Sequence, residues 1–109
     1  MDPKLIRHAD SKAANPIPGL CRCTLAWGAQ LMLLENVFEA GTEMATHTHP
    51  HEQITYVVSG EIDVLVEGET YHLRQGDSLL LPSNCPHGVR TPVRTVVIDA
   101  FSPPREDFK

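Results

Sequence analysis

Turn-forming residues divide this chain into short runs of β-prone residues, and this spacing constrains the fold more than any other feature. Apolar, β-branched and aromatic residues are concentrated in the segments 20–27, 30–38, 54–58, 61–67, 71–73, 78–81 and 94–101. No stretch of useful length combines apolar residues at a period of 3.6 with helix caps. Strands with turns about every 8 to 12 residues favour an all-β sandwich or barrel.

The size and charge of the chain limit the classes of protein it can belong to. A length of 109 residues predicts one domain, 1–109, and 41% hydrophobic with 21% charged residues is the composition of a soluble globular protein. The net charge of -5, without a basic run, argues against nucleic acid as a partner. There is no apolar run of membrane-spanning length, and Met1–Lys4 does not resemble a signal peptide, so we expect a cytoplasmic protein with no membrane contact.

Two segments near the start bear on assembly and redox chemistry. Residues 1–19 are rich in proline and predict an arm with one short edge strand or turn. The run Leu31–Leu34 is apolar on both faces, which predicts a strand covered on both sides and, with the arm, a homodimer. We interpret Cys21 and Cys23 as alternate strand positions facing the core or a neighbouring strand, and a metal or redox pair is the alternative. Together with Cys85, these cysteines indicate no disulfide framework.

Candidate metal ligands are densest between His47 and Gln53, where three histidines occur within five residues. In an extended strand His47 and His49 face the same side, and Gln53 can rejoin that face after an irregularity at Pro50. Imidazole nitrogens and an amide oxygen suit a divalent transition metal. Two alternatives to Gln53 as the fourth ligand remain. Glu52 has the opposite strand parity and would have to bend inward, or water completes a site of three histidines.

The spacing of this segment resembles the first motif of the cupin superfamily. Gly41 is followed by five residues and His47, one and His49, three and Gln53, then six and Gly60. The motif, 41–60, usually carries glutamate where this chain has Gln53. A neutral amide leaves a divalent ion its full charge, which favours Lewis-acid work over iron oxidation chemistry.

A second segment, 76–91, resembles the second cupin motif. Gly76 is followed by five residues and Pro82, one and Asn84, then two and His87. Asn84 stands where the motif usually has glycine, and asparagine tolerates the left-handed backbone conformation. The resemblance, over residues 30–100, implies a double-stranded β-helix, the cupin jelly-roll barrel, with one divalent ion inside. Its ligands would be His47, His49, Gln53 and His87, and nickel, manganese, zinc, iron or cobalt would all be acceptable.

The last β-prone run places one acid among apolar residues. Alternation puts Val97, Asp99 and Phe101 on a common face. If that face looks into the barrel, Asp99 is a carboxylate close to a cation, suited to acid or base catalysis. There are two alternatives. Asp99 forms a structural ion pair with one of the arginines at 90, 94 and 105, or it is exposed to solvent at the end of the strand.

The full constellation is similar to the KdgF family, small cupins that linearise unsaturated uronates from pectin and alginate breakdown. The similarity implies that Asp99 handles the proton, Phe101 walls the sugar ring and Arg105 holds the substrate carboxylate. We therefore expect a metal-dependent lyase or isomerase that opens 4,5-unsaturated uronates to 5-keto-4-deoxyuronate. Two alternatives are a cupin dioxygenase acting on a small organic substrate and a non-enzymatic cupin that binds a small ligand.

Overall fold

The computed structural model describes residues 2–109, so Met1, the first residue of the predicted arm, lies outside the described residues. The strands are β1 Lys12–Ala14, β2 Leu20–Trp27, β3 Met32–Phe38, β4 Thr42–His47, β5 Glu52–Ser59, β6 Glu61–Val66, β7 Glu69–Arg74, β8 Ser78–Leu81, β9 His87–Thr91 and β10 Thr95–Ser102. The helices in this range are two 3-10 turns, His8–Asp10 and Glu106–Phe108. No helix of the described chain is long and apolar enough to cross a membrane.

The strands form two antiparallel sheets. One has six strands in the order β1-β2-β3-β10-β5-β8, and the other has four in the order β4-β9-β6-β7. Neighbours in the sheets are often distant in sequence, as for β10 between β3 and β5. This arrangement carries both predicted motif segments to the same pair of facing sheets.

Strand β10 shows why the chain folds with one face inward. Its residues alternate between buried and half-buried from Thr95 to Ser102. Val97 is buried in the larger core cluster, with Leu20, Phe38, Val57, Ile62, Val64, Leu73 and Leu81. Each fully buried aliphatic side chain of this kind stabilises the fold by about 1.5–3 kcal/mol. Further along the same face, Phe101 packs with Met32 and Leu34 in a smaller cluster.

The predicted ligand strand is broken where the sequence suggested an irregularity. Strand β4 ends at His47 and β5 begins at Glu52, so His49 lies in the connection and not in an extended strand. Pro50 cannot donate a ladder hydrogen bond, which accounts for the break. The strand argument for His47 and His49 is therefore wrong in detail, although both side chains reach the same place.

An apolar row crosses the outward face of the six-stranded sheet. Four neighbouring residues form a row across β3, β10, β5 and β8: Leu33, Ala100, Ile54 and Leu80. Leu33, Ile54 and Leu80 are 41%, 46% and 52% exposed, and Leu31 is 66% exposed. Within one chain, the run Leu31–Leu34 is thus covered on one side only, and covering of the other side stays a prediction.

Candidate functional site

Three histidines meet where the two motif segments come together. His47, the last residue of β4, pairs in register with His87, the first residue of β9. The connection after β4 brings in His49, and the ring centroids lie 4.4 Å apart for His47 and His87 and 5.1 Å for His49 and His87. One nitrogen from each ring lies within 4.8 Å of the others. These atoms could hold a metal ion.

The ring orientations suit metal binding. The Nδ1 atoms of His47, His49 and His87 lie 3.1, 3.1 and 2.8 Å from backbone carbonyl oxygens. An Nδ1 proton donated to a carbonyl leaves the Nε2 lone pair available, as in most histidine ligands. Burial, with repulsion from Arg105, lowers the pKa of His49 to about 4. Burial also lowers the pKa of His87, so both rings favour the neutral form that a metal requires.

Gln53 extends the histidine cluster toward the interior. It is buried on β5, whereas Glu52 beside it is exposed on the other face. Its Oε1 lies 3.0 Å from Nε2 of His49. The amide oxygen thus belongs to the same group of potential ligand atoms, and Glu52 does not.

Asp99 is buried next to this cluster and is held by neutral groups. Its Oδ1 accepts hydrogen bonds from Oγ1 of Thr55 at 2.6 Å and Nε2 of Gln53 at 3.2 Å, and its Oδ2 accepts one from Nδ2 of Asn36 at 2.6 Å. Desolvation raises the pKa of Asp99, while the bonds from Thr55, Asn36 and Gln53 oppose that rise. A carboxyl in this environment can exchange a proton with a neighbouring ligand.

The alternative placement of Asp99 in an ion pair is wrong. Each of the three arginines considered for it contacts another carboxylate: Arg90 pairs with Asp63, Arg94 with Glu39 and Arg105 with Asp107. The face of β10 that carries Asp99 looks into the barrel, which is the condition for its expected role as an acid or base.

A cavity of about 360 Å³ joins these groups. Six of the residues singled out from the sequence line it: His47, Gln53, His87, Asp99, Phe101 and Arg105. The seventh, His49, contacts Gln53 and stands edge-on to Phe101, with ring centroids 5.6 Å apart. The structure therefore brings the whole predicted set together around one space.

Arg105 lies at this cavity with its charge already compensated. Its Nε and Nη2 donate to the two carboxylate oxygens of Asp107 at 3.3 and 3.2 Å. Its guanidinium also stacks over Phe101 and Phe108, with Cζ 5.4 and 4.2 Å from the ring centroids.

Several further lining residues escaped the sequence analysis, and four of them bear on the site: Arg22, Asn36, Thr55 and Phe108. For three of them a signal was present. Arg22, Asn36 and Thr55 share strand parity with buried apolar neighbours, so each is a polar residue on an inward face. Phe108 follows β10 in a short turn, where no strand periodicity indicates its direction.

Comparison with known proteins gives the family. The model of the cupin domain matches residues 35–100, which include both motif segments. The pectin degradation protein KdgF of Dickeya dadantii is 38% identical over 92 residues, covering 83% of this chain and 84% of that protein. The chain is a KdgF-like cupin.

Solved structures agree with this assignment. KdgF from Halomonas sp. superimposes with a TM-score of 0.91 at 32% identity, over 99% of this chain and all 100% of that one. An RmlC-like cupin from Shewanella frigidimarina gives 0.90 at 35% identity, over 99% and 97%. The predicted cupin jelly-roll barrel is confirmed. Asn84, the departure from the second motif, has a φ of 62°, the left-handed conformation expected of it.

His8, His72 and Cys23 of this cupin lie away from the cavity. Nε2 of His8 is 2.8 Å from a carboxylate oxygen of Glu35, and Nδ1 of His72 is 2.6 Å from one of Asp63. Cys23 is buried opposite Glu35, on the face of β2 that points away from the cavity. The placement of Cys21 and Cys23 on alternate positions beside a neighbouring strand is therefore confirmed, but they do not face the main core.

Proposed function

We propose that this cupin opens 4,5-unsaturated uronates to 5-keto-4-deoxyuronate. The buried carboxyl of Asp99, linked through Gln53 to a cluster of three histidines, is the observation that supports this reaction most directly. The Dickeya relative is a pectin degradation protein, and eliminative cleavage of pectin or alginate leaves a uronate of this kind.

In this proposal one divalent ion, of nickel, manganese, zinc, iron or cobalt, is held by His47, His49, Gln53 and His87. Three neutral nitrogens and one neutral oxygen, grouped at one end of the cavity, fit such an ion. When bound, the ion supplies Lewis acidity that stabilises negative charge developing on a substrate oxygen. No redox change is required of it.

Asp99 would move the proton. In the reaction the bond between C1 and the ring oxygen breaks, the C1 hydroxyl loses its proton, and an aldehyde forms at C1. The ring oxygen stays on C5 and becomes a ketone as C4 gains a proton, so the reaction is an isomerisation without oxidation. A buried carboxyl that can both accept and return a proton suits these two transfers.

Phe101 and Arg105 would bind the sugar. The aromatic ring of Phe101 lies in the cavity wall beside His49, where it can pack against one face of a pyranose. The guanidinium of Arg105, which is also bound to Asp107, lies over the same ring in the cavity wall, where it can contact a sugar acid. The pair would orient the ring over Asp99.

The decisive experiment is a turnover assay with the monosaccharide that a pectate or alginate lyase produces. Loss of absorbance of the conjugated double bond is followed for the metal-loaded protein, for protein treated with EDTA, and for Asp99→Asn. We expect a rate above the spontaneous one that requires both metal and Asp99. Asn keeps the size of Asp99, so Asp99→Asn with normal metal content and no turnover would assign the loss to the missing proton carrier.

An intact holoprotein that does not exceed the spontaneous rate would rule out this substrate. Oxygen uptake by the iron-loaded protein on a small organic substrate would then favour a dioxygenase. Metal binding without either activity would favour a cupin that only binds a small ligand.

We also propose that residues 1–109 act as one domain in a homodimer. The apolar row on the outer face of the six-stranded sheet is the same on every copy, so two copies can cover it by two-fold pairing. We place the protein in the cytoplasm, a reducing compartment in which the free cysteines Cys21, Cys23 and Cys85 are stable.

A further inference from the structure

Arg22 has an unusual position for a charged residue. It lies in the middle of β2, on the face that it shares with the buried residues Leu20 and Thr24, and it lines the cavity. Its Nε is buried, and among residues 2–109 it has no hydrogen-bond partner. A buried donor without an acceptor destabilises a fold, so such a group calls for a functional explanation.

Arg22 also has no direct ion pair, unlike Arg105. Within residues 2–109 no carboxylate forms an ion pair with Arg22, whereas Arg105 is bound to Asp107. The guanidinium instead stacks on Phe108, with Cζ 3.8 Å from the ring centroid, and Arg105 stacks on the same ring at 4.2 Å. Desolvation, followed by repulsion from Arg105, lowers the pKa of Arg22, while the carboxylates of Asp107 and Asp99 oppose this shift without contacting the guanidinium.

The neighbour of Arg22 leaves a complementary group without a partner. Asn36 lies directly opposite Arg22 in the register of β2 and β3, and it also lines the cavity. Its Nδ2 donates to Asp99, but its buried Oδ1 receives no hydrogen bond within the described chain. A donor with positive charge thus stands beside an acceptor, which is the complement of a ligand that carries both a carboxylate and a hydroxyl group.

We propose that Arg22 is the principal carboxylate-binding residue of the cavity, with Asn36 beside it accepting a hydrogen bond from a hydroxyl of the same sugar acid. The proposal rests on the function proposed above and adds the group that selects acids over neutral sugars. In a 4,5-unsaturated uronate the carboxylate is attached to C5, next to the carbon that gains the proton. The residue that holds the carboxylate must therefore lie close to Asp99, and Arg22 lies opposite Asn36, which donates to Asp99.

The test compares an acid with its ester. Turnover of the unsaturated monosaccharide and of its methyl ester is measured for the metal-loaded wild type, Arg22→Gln and Arg22→Lys. Arg74→Gln serves as the matched control, because the Arg74 side chain is 74% exposed on the other sheet. A charge-assisted contact contributes roughly 1.5–3 kcal/mol, so its loss in Arg22→Gln predicts a 10- to 100-fold rise of the KM for the acid. In Arg22→Lys we expect a smaller rise.

The ester separates binding from folding. A carboxylate contact predicts that Arg22→Gln changes the KM of the ester by less than about twofold, since esterification has already removed the charge. A merely structural role would raise the KM of the acid and that of the ester equally. That result, or an unchanged KM for the acid, would overturn the proposal. Arg22→Lys keeps the charge, so it tests the contact even if Arg22→Gln fails to fold.

Calorimetric binding of galacturonate and of galactose keeps the two proposals distinct. Wild-type protein that prefers galacturonate, with the preference lost in Arg22→Gln, would support the carboxylate subsite even if the unsaturated uronate is not turned over. In that case only the proposed reaction fails. Wild-type protein that neither turns over the uronate nor prefers galacturonate to galactose would overturn the subsite as well.

Discussion

Gln53 connects the histidine cluster to Asp99 by both ends of one amide group. Its Oε1 lies 3.0 Å from Nε2 of His49, and its Nε2 donates to Oδ1 of Asp99 at 3.2 Å. A glutamate, the usual residue of the cupin motif, could offer an oxygen to a metal but could not donate to Asp99 as an anion. The amide therefore lets the proposed ligand Gln53 and the proposed proton carrier Asp99 be neighbours without mutual repulsion.

The first prediction follows from this contact. Gln53→Glu is expected to retain bound metal and to lower turnover at least tenfold, because a carboxylate would face the carboxylate of Asp99 in a buried site. Metal content measured beside the initial rate checks this. Equal turnover in Gln53→Glu and wild type would show that the amide donor has no part in the reaction.

The second prediction concerns Thr55, whose hydroxyl donates the 2.6 Å bond to Asp99. Thr55→Val keeps the shape and removes this donor, so it should lower the free energy of unfolding by about 1–3 kcal/mol and reduce kcat with unchanged metal content. Thr91→Val is the matched control, because Thr91 is equally buried but donates to the Glu39 carbonyl, outside the cavity wall. A similar fall of kcat in both variants would contradict a positioning role for Thr55.

The third prediction tests the proposed metal ligands through stability. A ligand that binds only the folded state raises the unfolding temperature, so EDTA should lower the Tm of the metal-loaded wild type. In His87→Ala, which loses a buried ring of the cluster, the metal content should fall and EDTA should have little effect on Tm. His72→Ala removes an exposed histidine that bonds to Asp63 and should behave as wild type. An EDTA-sensitive Tm in His87→Ala would exclude that ring as a ligand.

Most of the architecture was predictable because strand periodicity and turn residues are local signals. The position of Gln53 followed from alternation, and those of His47 and His87 from motif spacing. Alternation grouped Asp99 with Val97 and Phe101 but did not decide whether their face looks into the barrel. Arg22 was missed although it shares strand parity with Leu20, because a charged residue between two cysteines gives no sign that the inward face of its strand borders a cavity and not solvent. The partners of Asp99 were also missed, since Asn36 and Thr55 come from strands brought beside β10 only by the sheet order.

The fourth prediction concerns the outer face of the six-stranded sheet. Ile54→Glu places a charge in the middle of the apolar row and should shift the proposed dimer to monomer, because a desolvated, unpaired carboxylate opposes association. Tyr71→Glu is the control, since Tyr71 is also exposed, at 44%, but lies on β7 of the other sheet. Light scattering after size exclusion gives the mass of each. A wild-type monomer at every concentration would refute the proposed assembly.

The fifth prediction compares two glycines that share a backbone conformation but differ in surroundings. Gly60 and Gly68 have φ values of 87° and 85°, so alanine at either position is strained by about 1–2 kcal/mol. A Cβ at Gly68 would meet nothing within 4 Å, whereas one at Gly60 would lie 2.8 Å from Cα of Thr95 and closer still to the Arg94 carbonyl oxygen.

These neighbours of Gly60 are backbone atoms at the start of β10, and Thr95 is fixed there because its hydroxyl accepts a 3.1 Å hydrogen bond from the Glu61 amide. They cannot move without displacing the strand that carries Asp99. Gly60→Ala should therefore lose about 1–3 kcal/mol more unfolding free energy than Gly68→Ala. Urea denaturation at equal m-values measures the difference, and equal midpoints would show that the turn before β6 relaxes freely around a methyl group.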